Sequence, residues 1–268
     1  MIKAAYFDVD GTLVNFSEHK LSETDRESLD ALRAKGIKIF LATGRHITAI
    51  DKITYPVDGL VSMNGSLSYI AKDGPAPVQD TDAFKVVGSN PFPPEIARAI
   101  ADVIEERRLA TMVNTATANV INRYDPETEE SLDVLKFPRL PVVPVMEAIR
   151  QPVYEFTIFV TPEQERPFFG PLLDHMVAGR WCTAFTDFNH RGVSKGLGID
   201  QTIEYLGYKL EETISFGDGG NDIPMLRHAG IGVAMDNSLD IVKQAADFIT
   251  KDVEENGVTY ALKTLGII

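Results

Sequence analysis

Ile2-Lys3-Ala4-Ala5-Tyr6-Phe7-Asp8-Val9-Asp10-Gly11-Thr12-Leu13 is the stretch that decides the fold. The nearly continuous apolar run from Ile2 to Val9 is the pattern of a strand covered on both faces, as in a parallel sheet. It stops at Asp10-Gly11, a turn signal, so two acids stand at the strand's carboxyl end. Ser22 to Lys35 then reads as a helix. Ser22 can cap it, Glu23, Asp25 and Glu27 suit the positive end of its dipole, and Gly36 can supply a left-handed stop. A second buried strand, Ile37 to Ala42, follows at once and ends in Thr43-Gly44-Arg45.

The same alternation continues outward. Gly59 to Met63 reads as a short strand closed by Asn64-Gly65. Much later come a helix from Ser194 to Leu206 and a strand from Thr213 to Phe216. Ile231 to Ala234 and Asp247 to Thr250 are further strands, separated by helices around Ile223 to His228 and Leu239 to Ala245. Such an order predicts an α/β, Rossmann-like, doubly wound parallel sheet with right-handed crossovers. Between about Asp82 and Phe188 prolines accumulate, a strand is expected from Glu155 to Val160, and Pro94 to Arg108 is amphipathic through Ile96, Ile100, Val103 and Ile104. Residues 82–189 are therefore expected to form an inserted α/β cap domain, with linkers near Thr81 and His190, and residues 1–81 and 190–268 a discontinuous core.

Composition bounds the function. The chain has 268 residues, 26 basic against 39 acidic, and a net charge of −13. That balance argues against nucleic acid, whose binding draws on a basic face. A phosphate ligand would need locally built attraction, from a cation, a lysine or oriented N–H groups. Cys182 is the single cysteine, so no intrachain disulfide forms, which fits a reducing compartment. The opening residues make a poor signal peptide, and no stretch approaches the roughly 20 apolar residues needed to span a bilayer. A cytoplasmic monomer without membrane or nucleic-acid partners is the expectation.

Ligands of doubly wound sheets bind beyond the carboxyl ends of the strands, and four polar clusters fall at four such ends. They are Asp8-Val9-Asp10-Gly11-Thr12, Thr43-Gly44-Arg45, Asn64-Gly65 and Gly217-Asp218-Gly219-Gly220-Asn221-Asp222. Asp8 and Asp10, two apart on extended backbone, project to the same side. Asp218 would add a third carboxylate, and such a cluster repels itself unless it holds a hard cation. Oxygen ligands without histidine or cysteine favour Mg²⁺ over zinc. Thr43, Gly44 and Lys195, the last at a helix N-terminus, suit the oxygens of a phosphoryl group.

Each piece has a bland reading as a solvated turn or surface lysine; their ordered conjunction carries the weight. A calcium loop starting at Asp8 fails, because its sixth position is Leu13 and its twelfth His19. A dinucleotide fingerprint fails too, since Gly217-Asp218-Gly219 is followed by Gly220-Asn221-Asp222.

With Val193-Ser194-Lys195-Gly196, these segments resemble the four ordered motifs of haloacid dehalogenase superfamily phosphatases. Met63-Asn64-Gly65, Gly232-Val233-Ala234-Met235 and Glu255-Asn256-Gly257-Val258 narrow the resemblance to the Cof-type sugar-phosphatase group with a type-IIB cap, most closely bacterial hexose-phosphate phosphatases. The resemblance implies Asp8 as nucleophile and Asp10 as general acid and base. It implies Mg²⁺ on Asp8, Asp10 (through its carbonyl) and Asp218. It also implies a phosphate site from Thr43, Gly44, Arg45, Lys195 and Asn221, with Asp222 orienting Lys195 or a metal-bound water. One departure is Asp236-Asn237-Ser238 where the group has Gly-Asn-Ala, a loop placed to alter access.

In the cap, Arg180 and Trp181 are the candidate substrate contacts, with Phe185 and His190 nearby. A lone tryptophan in a strand is more often core packing than a sugar platform, and His190 is more readily a linker residue than a substrate contact. The expected function is Mg²⁺-dependent hydrolysis of a sugar phosphate through an aspartyl-phosphate. The alternatives are a sugar phosphomutase and, from another class, a receiver-like module that accepts phosphoryl without turnover.

Overall fold

The computed structural model describes residues 1–15, 20–50, 53–134, 137–180 and 183–268. Two compact units make up the chain: Met1–Ser89 with Ser194–Ile268, and Asn90–Val193. The strands of the first segment are β1 (Ala4–Phe7), β2 (Lys38–Ala42), β3 (Gly59–Ser62), β4 (Leu67–Ala71) and β5 (Phe84–Ser89). The insertion contributes β6 (Thr111–Thr115), β7 (Asn119–Ile121), β8 (Val153–Ile158), β9 (Met176–Gly179) and β10 (Thr186–His190). The last segment returns with β11 (Thr213–Gly217), β12 (Ile231–Ala234) and β13 (Phe248–Ile249).

The first unit is an eight-stranded sheet of order β13-β12-β11-β1-β2-β3-β4-β5. From β13 to β3 every pairing is parallel. The chain builds outward from β1 to β3 on one side and from β11 to β13 on the other, so β1 stands at the switch point where ligands collect. β4 and β5 extend the sheet antiparallel. They mark a difference from the all-parallel expectation, and they move the domain boundary. With Phe84–Ser89 paired on β4 and His190 still within β10, the crossings fall at Ser89/Asn90, eight residues past Thr81, and at Val193/Ser194, three residues past His190.

The helices follow the local signals closely. α1 (Glu23–Ala34) is capped by Ser22, whose Oγ accepts from the Asp25 N–H, and Gly36 closes it with φ +76°. In the insertion, α2 (Pro94–Arg107), α3 (Pro126–Val134), α4 (Val145–Ala148) and α5 (Pro162–Phe169) lie between strands. α6 (Lys195–Leu206), α7 (Ile223–His228), α8 (Asp240–Lys243) and α9 (Gly257–Thr264) complete the first unit. Beneath α6 the core is tight. Tyr6 stacks on Phe40 with centroids 4.7 Å apart, and its buried hydroxyl meets Thr202 Oγ1 at 2.7 Å. Full burial of side chains such as Phe40 and Ile199 contributes roughly 1.5–3 kcal/mol each, which anchors the strands whose ends carry the polar motifs.

The second unit is an antiparallel sheet of order β7-β6-β8-β10-β9. Ile100 and Ile104 of α2 pack with Val113, Phe156 and Phe188 in one cluster, Ile96 and Val103 lying at its margin. Among the described residues no helix is long and apolar enough to cross a membrane.

Candidate active site

The strand ends deliver the polar groups to one edge of the first unit. Asp8 follows β1, its N–H still bonded to the Phe216 carbonyl at 2.9 Å. Thr43 follows β2, Asn64 follows β3 and Asp218 follows β11. Lys195 opens α6 behind Ser194, whose Oγ accepts from the Leu197 N–H at 3.1 Å. Two glycines allow this crowding. Gly65 has φ +99°, and a Cβ there would lie 2.1 Å from the Ser194 carbonyl oxygen, so the loop after β3 backs directly onto the turn that carries Lys195. At Gly217 a Cβ would lie 2.5 Å from Asp222 Cβ.

At the centre, Lys195 Nζ donates to Asp8 Oδ1 and to Asp222 Oδ1, each at 2.5 Å. Lys195 and Asp222 are fully buried, and Asp8 is 7% exposed. The second oxygen of Asp222 accepts from the N–H groups of Asp218 (3.0 Å) and Gly219 (2.8 Å). Thr12 Oγ1 donates to Asp218 Oδ1 at 2.9 Å. Carboxylate oxygens of Asp8, Asp218 and Asp222 all lie within 4.8 Å of one another.

One ammonium among three carboxylates leaves two uncompensated negative charges in a place shielded from water. Burial is the largest influence on Asp8 and pushes its carboxyl well above the usual range. Lys195 opposes that push, while Asp222 and Asp218 add to it. Burial also raises Asp218, to about 7, with Asp222 contributing. Burial pulls Lys195 down, but Asp222 and Asp8 outweigh it, and the amine is held above its ordinary value. The donor set is all oxygen, with an excess negative charge equal to that of one divalent cation. These residues therefore fit Mg²⁺. Asp222 is already engaged by Lys195 and two N–H groups, which leaves Asp8 and Asp218 better placed to offer oxygens.

Asp10 departs from expectation. Its carboxylate is not in the cluster, and Asp222 takes the third place. Both Asp10 oxygens accept from Arg45, from Nε at 2.7 Å and Nη2 at 3.0 Å, while Arg45 Nη1 donates to the Ala49 carbonyl. Two residues apart on a strand would put both carboxylates together. The chain instead leaves β1 after Phe7 and turns, with Gly11 at φ +86°, so Asp8 points to the cluster and Asp10 to Arg45.

The sequence pattern of the haloacid dehalogenase-like hydrolases matches residues 5–262. The chain belongs to the haloacid dehalogenase-like hydrolase family. It is similar to a solved structure described as the HAD subclass IIB sugar phosphatase BT4131, with 36% identity, a TM-score of 0.86, and coverage of 99% of this chain and 100% of that one. BT1666 from Bacteroides thetaiotaomicron, from a study of HAD phosphatases, is 34% identical at a TM-score of 0.87, covering 100% and 96% of the two chains. The 5-amino-6-(5-phospho-D-ribitylamino)uracil phosphatase YitU of Bacillus subtilis is 25% identical over 269 residues, 96% of this chain and 94% of that protein. The chain is thus an enzyme of hydrolytic type, and phosphatase is the activity these relatives share.

Within this hydrolase the other candidates divide. Thr43 is buried, its Oγ1 accepting from the Arg45 N–H at 3.1 Å, and a Cβ on Gly44 would sit 3.3 Å from Asn64 Oδ1. Asn221 Nδ2 donates to that same Asn64 oxygen at 3.0 Å. Thr43, Gly44 and Asn221 are therefore gathered at one rim, whereas Arg45 is committed to Asp10. Two contributors went unassigned in the sequence. Thr12 lies inside the first motif and steadies Asp218. Asn64 links the third strand end to Asn221, and Asn-Gly directly after a strand, a pair that accepts the left-handed φ of +56° seen here, is the signal in the sequence that pointed to its place without a role.

Arg180 is engaged within the second unit. Its Nε and Nη2 donate to Glu165 Oε1 at 3.1 and 2.6 Å, Nη2 also to the Val160 carbonyl, and Nη1 to the Thr183 carbonyl, so the guanidinium braces the second unit itself. Phe185 packs edge-on against Phe159, and His190 against Phe92. Trp181 and Cys182, like His19, lie outside the described residues. In the divergent Asp236-Asn237-Ser238 loop, Asn237 donates to the Gly11 carbonyl and accepts from the Val253 N–H, so it ties the loop to the first motif.

The acid cluster predicts a pH response. Asp8 and Asp218 bind protons more tightly in the folded chain than in the unfolded one, where carboxyls titrate near 4. The contribution of Asp218 to stability is therefore complete below pH about 4 and is lost as pH rises through about 7, and Asp8 acts in the same direction. Without metal, the melting temperature should fall between pH 6 and 8 by more than in Asp218→Asn. Mg²⁺ must displace the Asp218 proton, so its affinity should climb about tenfold in all from pH 6 to pH 8, most of it below pH 7. Thermal scans in chelator, and Mg²⁺ titrations at pH 6, 7 and 8, check both; a flat Mg²⁺ affinity would refute the assignment.

Proposed function

We propose that this hydrolase is a Mg²⁺-dependent phosphatase of small phosphorylated metabolites, hexose phosphates foremost, working through an aspartyl-phosphate on Asp8. The observation that carries this reading is Lys195, buried and bonded to both Asp8 and Asp222 beside Asp218. It joins a nucleophilic carboxylate, a fixed positive charge and a cation-ready cluster in one place. The family match supports hydrolysis, and the neighbour described as a sugar phosphatase supports the substrate class.

In this reading a carboxylate oxygen of Asp8 attacks phosphorus and the ester P–O bond breaks. Asp10 gives its proton to the departing alkoxide. Asp10 then takes a proton from the water that attacks phosphorus, and cleavage of the acyl phosphate restores the Asp8 carboxylate and frees phosphate. Arg45 orients the Asp10 carboxyl between these duties. Lys195, Thr43, the Gly44 N–H and Asn221 hold the phosphoryl oxygens. Asp8, the Asp10 carbonyl and Asp218 would hold Mg²⁺, which when bound would supply charge neutralisation during phosphoryl transfer. Asp222 keeps Lys195 aimed. The inserted unit serves as the substrate-specificity domain, and a monomer in the cytoplasm completes the proposal.

The test is a panel of phosphorylated metabolites with Mg²⁺, read as free phosphate. Continuous release, abolished by chelator and restored by Mg²⁺, with hexose phosphates ranking highest in kcat/KM, is the expected result. Isomerised hexose phosphate without free phosphate would replace it with the mutase reading. A single stoichiometric uptake would replace it with the receiver reading.

A further inference from the structure

The loop after β12 reaches across the first unit's sheet. β11, which leads to Asp218, lies between β12 and β1, and residues 235–238 bond to the loops that follow both strands. The buried Met235 donates its N–H to the carbonyl of Gly217, the residue before Asp218, at 3.0 Å. Two positions on, Asn237 Nδ2 donates to the carbonyl of Gly11, the residue after Asp10, at 3.0 Å. One loop thereby holds both segments that would offer oxygens to Mg²⁺.

Gly11 is where such a hold matters. Its φ of +86° suits glycine at little cost, and the same freedom lets the following peptide swing. Its N–H is taken by the Val14 carbonyl at 2.9 Å, so a bond to its own carbonyl fixes the plane of the peptide that joins it to Thr12. Thr12 Oγ1 is the donor that meets Asp218 Oδ1, and the peptide on the other side of Gly11 carries the Asp10 carbonyl. The amide of Asn237 matches its place. The Gly11 carbonyl can only accept, and the Val253 N–H, 3.0 Å from Asn237 Oδ1, can only donate, so the side chain must offer one donor and one acceptor in a fixed order. The far end is anchored, since Val253 is buried and Asp236 pairs with Lys243 of α8 at 2.5 Å. The buried Oγ of Ser238 has no hydrogen-bond partner and adds nothing to the hold.

We propose that Asn237 is a positioning residue for Mg²⁺. By bonding the Gly11 carbonyl it keeps the Asp10 carbonyl and the Thr12 hydroxyl in place around Asp218, and so sets the affinity of the acid cluster for the cation. The inference rests on the Mg²⁺ reading of that cluster and extends it to a residue whose own oxygen is engaged by Val253.

Two substitutions separate this role from simple loop packing. At pH 8 Asn237→Asp keeps the acceptor for Val253 but sets a carboxylate oxygen against the Gly11 carbonyl, and Asn237→Leu removes both bonds at nearly the same shape. An added negative charge by itself would draw Mg²⁺ in, so weaker binding in the first variant cannot come from charge. Mg²⁺ titrated calorimetrically into metal-free protein should bind each variant about tenfold more weakly than the parent. Ser238→Ala, at the next position, should stay within about twofold. Phosphate release should need correspondingly more Mg²⁺ for half its maximal rate, with the maximal rate kept within about threefold. Parent-like Mg²⁺ affinity in Asn237→Asp, an equal loss in Ser238→Ala, or either Asn237 variant unfolded in chelator at room temperature overturns the positioning role while the phosphatase reading stands. A parent that binds no Mg²⁺ brings down both.

Discussion

Replacing Asp8 by asparagine should lower the rate of phosphate release by at least about 10⁴-fold while the protein remains folded. An amide has no anionic oxygen with which to attack phosphorus, and the neighbouring acids are committed elsewhere, Asp218 to Thr12 and, in this reading, to the cation. Asp10, the nearest acid in sequence, is turned onto Arg45, and Asp222 is tied to Lys195 and two backbone N–H groups. Stability should be kept or improved without metal, because the variant removes one of three mutually repelling carboxylates and Lys195 retains Asp222. Initial rates on the best substrate, together with thermal melts, check both halves. Turnover within tenfold of the parent would refute Asp8 as nucleophile.

Lys195→Met should be the most damaging change to the fold itself. The substitution keeps the length of the side chain but strands Asp8, Asp218 and Asp222 without their internal cation. Removing one partner of a buried pair costs roughly 3–5 kcal/mol, about 10 °C of melting temperature for a chain of this size. Mg²⁺ should recover part of the loss, since it compensates the same carboxylates. Activity should fall as well, and Mg²⁺ should not recover it, because the lysine is also the charge that meets the phosphoryl oxygens. A melting temperature within 2 °C of the parent, measured in chelator, would show that the cluster is not held by this amine.

Much of this was legible in the chain. Ser22 and Gly36 bracket α1 because capping and the left-handed stop are local chemistry, satisfied within a few residues. The strands β2, β11 and β12 lie within a residue or two of where their apolar runs place them. β4 and β5 were not legible as sheet. Leu67-Ser68-Tyr69-Ile70-Ala71 follows β3 with hardly a gap, and its pairing is antiparallel, which no local signal separates from a loop. The candidate site divides in the same way. The residue types at the strand ends announced an oxygen-rich site for a cation and a phosphate. That Asp222, and not Asp10, completes the acid cluster depends on how two loops from distant parts of the sequence close on each other.

The sequence by itself determined the elements, their order and the chemistry gathered at the carboxyl ends of the strands. These follow from hydrophobic period, capping and turn residues, which act over a few positions. Only the tertiary structure decided which side chains meet. Lys195 reaches Asp8 across 187 positions because Gly65 lets the loop after β3 lie against the Ser194 carbonyl. Arg45 captures Asp10 because the chain turns away from β1 after Phe7. Asn114 donates to Glu155 because strand register sets the two opposite each other on β6 and β8. Pairwise contact at hydrogen-bond range depends on long-range packing and register, and neither is written in any local window of the chain.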